Sequence, residues 1–288
     1  MKFSQIMVPI ITGIASGMVR YLSASGMCLM MAGMGVINFG QGTFYVLGAA
    51  ICLTVTQLTG NLFLGILAGT LVTFLLGAGL ETMMKPILNK NIMLSLMLTM
   101  GVAYVLDDVM ELIWGSTPKA ISVPAGLRGI TKIFGVPIPS YYLFIIGAAL
   151  LVAIAFWIMF KKTRLGMTFR AIICDRTMTE CLGVNVPLTY MLMFMIGIGL
   201  SGFGGGLYLP ISALVTSSGL SAFADVIPIM IIGGMTNLQG AFPAAIIVGV
   251  LQALAARFAP SIYNAIPTLC MVICILFKPE GLFTKKAR

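Results

Sequence analysis

The stretch "LFLGILAGTLVTFLLGAGL", residues 62–80, holds no charged residue and no proline. An α-helix rises about 1.5 Å per residue, so a run of this length covers the roughly 30 Å of hydrocarbon in a bilayer. Comparable uncharged runs extend over residues 21–37, 141–160 and 188–209. Across the 288 residues the hydrophobic share is 59%, the charged share 9% and the mean hydropathy +1.08, far outside the range of soluble globular chains. The runs lack the alternation of barrel strands and are about twice the ~10 residues that a tilted strand uses. The fold class is therefore all-α, a polytopic transmembrane helical bundle.

Spans fall near 4–19, 21–37, 43–59, 62–80, 92–113, 141–160, 188–209, 223–236, 240–256 and 262–278. The first two, joined by "GMVRYLSASG", and the uncharged run over residues 226–256 are candidates for half-crossings or re-entrant helices broken at Gly and Pro. We expect eight to ten membrane helices in one transmembrane domain, residues 1–288. Lys2 before an apolar run imitates a signal peptide, but the helices that follow require no soluble domain delivered outside.

The net charge of +9 follows orientation rather than nucleic-acid binding. With loops 81–91 and 161–187 and both termini in the cytoplasm, twelve cations lie inside. Five lie outside: Arg20, Lys119, Arg128, Lys132 and Arg257. This satisfies the positive-inside rule, and the inverted topology violates it. Residues 114–140, rich in Pro and Gly, form an irregular external cap.

Small residues four apart, Gly13 with Gly17, Gly65 with Gly69 and Gly202 with Gly206, mark close helix approach. No phosphate-cradling Gly-x-x-x-x-Gly-Lys-Ser/Thr occurs. The six cysteines form no Cys-x-x-Cys pair and the chain has no histidine, so no metal site is expected; the 22 methionines read as apolar filler. Asp107 and Glu111 share a helix face at the outer end of their span, where charge costs little, and Asp225 opens a helix, where a carboxylate suits the dipole. No catalytic residue set and no cofactor are expected.

Two stretches stand out against this background. "GVINFGQG", residues 35–42, and "GMTNLQG", residues 234–240, both read Gly-x-x-Asn, then Gln-Gly or Gly-Gln-Gly, then an apolar helix. Paired Gly-rich interruptions are where transporters unwind helices toward a central path; two ordinary polar turns are the alternative. Asn38, Gln41, Thr43, Tyr45, Asn237 and Gln239 are the candidates to line or brace such a path.

At these residues the chain resembles the membrane permease subunits of branched-chain amino acid type ABC importers, the LivH/LivM-like family. "INFGQGTFYVLGA", residues 37–49, is similar to the family's Ile-Asn-Phe-Ala-His-Gly-Glu-x-x-x-x-Gly-Ala block. "TRLGMTFRAIICDRTMTECLGVNV", residues 163–186, resembles its Arg-x-Gly-x-x-x-Arg-Ala-x-x-x-Asp and Leu-Gly-x-Asn. "IIGGMTNLQGAF" and "FKPEGLF" resemble its two later blocks, in order. Departures fall at Gln41 for His, Thr43 for Glu, Thr236 and Asn237 for Gly-Ser, Asp225 for a common Lys, and Cys174 for an acidic residue.

The resemblance implies a permease subunit in a bacterial inner membrane that forms the path for a small polar solute. Its implied partners are a second, similar permease subunit, two cytoplasmic ATPases and an external solute-binding protein, besides membrane lipid; no nucleic acid is involved. Family members carry branched-chain amino acids, and others urea, short amides or aromatic acids. A self-sufficient secondary transporter or channel is the rival reading.

Residues 161–187 are the expected coupling loop. Phe169, Ile172, Ile173 and Leu182 recur near helical intervals, which predicts a short amphipathic helix ended at Gly183. The resemblance adds Arg170, Ala171, Asp175, Gly183 and Asn185 as the residues that dock into an ATPase groove. Because the phosphate-binding loop is absent, the purified chain alone is expected neither to bind nor to hydrolyse ATP; equilibrium binding of a fluorescent ATP analogue checks this.

Overall fold

The computed structural model describes residues 3–87, 92–133 and 136–283. Among these residues nine helices are long and apolar enough to cross a membrane, so the all-α bundle of eight to ten spans stands.

The first helix, α1, runs unbroken over Phe3–Met34, 32 residues, where the sequence layout cut two spans at "GMVRYLSASG". The cut rested on Arg20, taken as an outer-loop cation. Arg20 instead lies inside the bundle, with Nη2 3.0 Å from Asp225 Oδ2 and Nη1 donating to Gln252 Oε1. A charge answered in this way does not force a helix to end.

The helices α2 (Gln41–Thr59), α3 (Leu62–Met84), α4 (Ile92–Trp114) and α5 (Ser140–Lys162) follow. Two short helices, α6 (Arg164–Cys174) and α7 (Arg176–Cys181), lead into α8 (Val186–Tyr208), α9 (Gly219–Gly233), α10 (Ala241–Phe258) and α11 (Ile266–Phe277). The uncharged run over residues 226–256 divides as expected, at Gly234, which has φ +97°. Between α4 and α5 the cap is not wholly irregular: β1 (Ile130–Ile133) pairs antiparallel with β2 (Val136–Pro139). Lys119 exchanges two backbone hydrogen bonds with Leu214, tying this cap to the segment after α8. Glu81, read as the start of a loop, belongs to the last turn of α3 and is buried.

In lipid no hydrophobic force draws helices together, so close backbone approach and buried polar contacts must do it. α1 and α8 run antiparallel through the centre. A Cβ at Gly26 would come within 2.8 Å of Gly197 Cα, and Ser23 Oγ lies 3.0 Å from Ser201 Oγ. On its other face α1 meets α10, where a Cβ at Gly13 would stand 2.8 Å from Val250 Cα. Gly65 and Gly69 face α2, and Gly202 faces Thr73 of α3, so each glycine pair read from the sequence lies at a helix contact.

The sequence layout places both termini on one side, and the described chain does not. α1 begins at the end of the bundle that carries the hairpin, where Val8, Pro9 and Thr12 share a cavity with Tyr142, Tyr208 and Tyr263. The chain beyond α11 reaches the opposite end, that of α6 and α7, where Leu282 N donates to Ile232 O at 2.9 Å.

Packing at this density resists added volume. Gly249→Val, whose Cβ would stand 2.7 Å from Gly17 Cα, is expected to lower stability by about 1–3 kcal/mol. Gly147→Ala, in open space on α5, is expected to leave it unchanged or raise it by up to about 1 kcal/mol. Thermal unfolding of the two variants in detergent checks the contrast.

Candidate functional site

The two turns singled out in the sequence share one local geometry. Gly35 and Gly234 take φ +66° and +97°, a region that favours glycine. Three residues on, Asn38 Oδ1 accepts from Gly40 N at 2.9 Å, and Asn237 Oδ1 accepts from Gln239 N at 3.2 Å. Each side chain closes an Asx turn just before a helix starts, α2 at Gln41 and α10 at Ala241.

Their surroundings differ. Gln41 is fully buried, and its Nε2 donates to Ser23 O at 3.1 Å and to Gly197 O at 2.9 Å. Ser201 Oγ donates back to Gln41 O at 2.8 Å, so one amide bridges α1, α2 and α8. Asn38 and Thr43 are equally buried. Asn237 instead lies at the α6 and α7 end, where Nδ2 donates to Phe283 O at 3.0 Å, and Gln239 is exposed. α1 separates the two turns: the α10 side touches its Gly13, Gly17 and Tyr21 face, and Gln41 bonds at Ser23. Residues 21 and 23 point about 160° apart on a helix, so the six path candidates do not converge.

Tyr45 belongs to another group, which sequence reasoning missed. It borders a cavity of about 160 Å³ with Arg20, Asp225, Tyr208, Ser218 and Ser221. The Arg20–Asp225 pair keeps 15% and 36% of its side-chain surface exposed. Arg20 had been placed in a loop and Asp225 at a helix start; only their separation of 205 positions in the chain hid the pair. The signal available was a charge of each sign within apolar runs. Asp107 is likewise no solvated terminus. Its Oδ1 is buried, and it faces Gly219 together with Thr43 Oγ1.

At the opposite end the coupling segment is two helices rather than one. Asp175 ends α6 and caps α7, its Oδ1 accepting from Met178 N at 3.0 Å. Arg170 donates to Phe160 O and stacks its guanidinium 5.7 Å from the Phe160 ring, which braces the turn against α5. Gly183 follows α7 with φ +81°, as a helix stop requires, and Asn185 caps α8 by accepting from Leu188 N at 3.1 Å. Ala171 lies in α6. Met167, Met178 and Leu182 are more than half exposed here.

Comparisons of the sequence with known proteins identify its relatives. The family model described as branched-chain amino acid transport system / permease component matches residues 10–276. The high-affinity branched-chain amino acid transport system permease protein BraD of Pseudomonas aeruginosa is 25% identical, over 95% of this chain and 94% of its own. The probable branched-chain amino acid transport permease protein LivH of Methanocaldococcus jannaschii is 23% identical, over 91% of this chain and 87% of its own. LivH of Escherichia coli K12 is 22% identical, over 98% and 96%. No solved structure matches the chain.

The two amide turns are expected to respond unequally to mutation. Gln41→Leu removes a buried donor to two carbonyls and is expected to lower stability by about 1–3 kcal/mol, whereas exposed Gln239→Leu should change it by less than about 0.5 kcal/mol. Thermal unfolding of both variants in the same detergent decides it.

Proposed function

Because the chain belongs to the branched-chain amino acid transport system permease family, a family of ABC-importer membrane subunits, we propose that it forms the path for a small polar solute, most simply a branched-chain amino acid. The match of the family model across residues 10–276 of this multi-pass membrane protein carries the reading. In this reading it sits in a bacterial inner membrane, pairs with a second permease subunit and is driven by two cytoplasmic ATPases, with an external binding protein delivering the solute.

Orientation follows from charge. With the α6 and α7 end inside, seven cations among the described residues lie toward the cytoplasm, and four lie outside: Lys119, Arg128, Lys132 and Arg257. The positive-inside rule thus still holds when α1 starts outside and the described chain ends on the cytoplasmic side.

The coupling element in this reading is the α6–α7 pair. Its exposed Met167, Met178 and Leu182, beside cations, suit a protein groove better than water. Arg170 and Ala171 shape α6, Asp175 and Gly183 bound α7, and Asn185 starts α8, so a push on α7 reaches the central helix directly. Asn38, Gln41 and Thr43 brace the junction of α1, α2 and α8 beside the path, while Asn237 and Gln239 fix the start of α10 near the cytoplasmic face.

Co-expression with partner subunits and reconstitution into liposomes tests this reading. ATP-dependent uptake of radiolabelled leucine is expected from the complex, and none from the chain alone under a Na⁺ or H⁺ gradient. Gradient-driven uptake by the chain alone would establish a secondary transporter instead. In the complex, Gly183→Val forces a β-branched residue into φ +81° at a strain of about 1–3 kcal/mol. ATP hydrolysis is expected to persist and uptake to fall. Cysteines at residues 175–183 are expected to crosslink to the ATPase; crosslinks only to the permease partner would exclude α7 as the coupling element.

A further inference from the structure

The group least explained by a packing role is the Arg20–Asp225 pair. A pair that merely neutralised two charges within lipid-spanning helices would be walled in by apolar side chains. This one borders a cavity of about 160 Å³, and both partners retain exposed surface. Hydroxyl-bearing Tyr45, Tyr208, Ser218 and Ser221 line it on the polar side. Val46, Leu209, Val215 and Val226 line it on the apolar side. The segment after α8 that contributes Leu209 and Val215 is held to the cap by the Lys119–Leu214 bridge, so the cavity lies toward the hairpin end.

We infer that this cavity is a solute-binding site within the subunit, selective for a zwitterionic α-amino acid with an apolar side chain. The inference rests on the transport reading above and places the solute of that reading at named residues. The guanidinium of Arg20 meets the solute carboxylate, the carboxylate of Asp225 meets the solute ammonium, and the aliphatic wall takes the side chain. Arg20 is held in place by a second contact: Nη1 donates to Gln252 Oε1, while Nη2 meets Asp225, and Arg20 and Asp225 both line the cavity.

The selectivity comes from charge balance. The resting cavity holds one cation and one anion, already paired. A zwitterion that inserts between them replaces one ion pair by two, and no charge is left unanswered in a low-dielectric site. A carboxylate without an ammonium frees Asp225 with no partner, and an amine without a carboxylate does the same to Arg20. Neutral urea and short amides offer neither group the charge it loses. The site thus rejects monoions and uncharged solutes by what they leave unpaired.

The test uses the reconstituted complex with its partner subunits, L-leucine as solute, and 4-methylpentanoate and 3-methylbutylamine as competitors that each carry one half of its charge. For the wild-type complex neither competitor is expected to reduce leucine uptake. Asp225→Asn leaves Arg20 alone, so 4-methylpentanoate is expected to become a competitor while leucine KM rises at least tenfold. Arg20→Gln should show the reciprocal pattern with 3-methylbutylamine. If either variant fails to assemble, the double exchange Arg20→Asp with Asp225→Arg keeps a pair in place and is expected to restore assembly without restoring leucine KM, because the apolar wall then faces the wrong side of the solute. Full recovery of leucine uptake by the exchange, or unchanged KM and unchanged competition in both single variants, overturns the site and leaves a structural ion pair. A wild-type complex that hydrolyses ATP but takes up no amino acid would instead refute the transport reading on which the site rests.

Discussion

The bundle depends on a charge being answered inside it. Arg20 sits near the middle of α1, and an unpaired guanidinium there would force the helix to break or to move toward water. Asp225 from α9 and Gln252 from α10 meet it, so α1 runs its full 32 residues. α1 is thereby fixed to two helices that follow it by about 200 residues in the chain. With α1 continuous, the start of the described chain lies at one end of the bundle and its last described residues at the other.

Around that point the helices close by removing side chains rather than by adding them. Gly13, Gly17 and Gly26 on α1, and Gly197 and Gly202 on α8, let backbone meet backbone. Within this tight region Gln41 inserts its amide between Ser23 and Gly197, and Ser201 bonds to Gln41 in return. A small-residue interface and a buried polar bridge reinforce each other, because the bridge reaches its partners only where the backbones are close. The two ends of α8 carry this junction outward, to the α6–α7 pair on one side and to the cavity rim on the other. In the proposed importer, a stroke received by α7 would arrive at the helix that packs beside the proposed solute site.

Repetition of a turn did not repeat its environment. Asn38 and Asn237 bond the same way two residues ahead, after a left-handed glycine in each case. Yet one turn is sealed against α8, and the other stands at the bundle end against Phe283. Local sequence sets local hydrogen bonds, since Asx turns involve only neighbours. What packs against the turn is set by which helices arrive there.

The sequence by itself determined the membrane class, the positions of most spans, the glycine contacts and the helix stop at Gly183, because hydropathy, small-residue spacing and helix-stop signals act over one helix length. It also carried the family, through four short blocks in order. It did not determine that α1 is one helix, that the coupling segment is two, or that the first and last described residues lie at opposite ends of the bundle. Those outcomes turn on partners far away in the chain: Arg20 reads as a loop residue until Asp225 and Gln252 are beside it, and the cavity they border exists only once α1, α2, α8 and α9 have met. Only the tertiary structure decides which buried charge finds an opposite one, since the free energy of a charge in lipid depends on its neighbour in space and not on its neighbours in sequence.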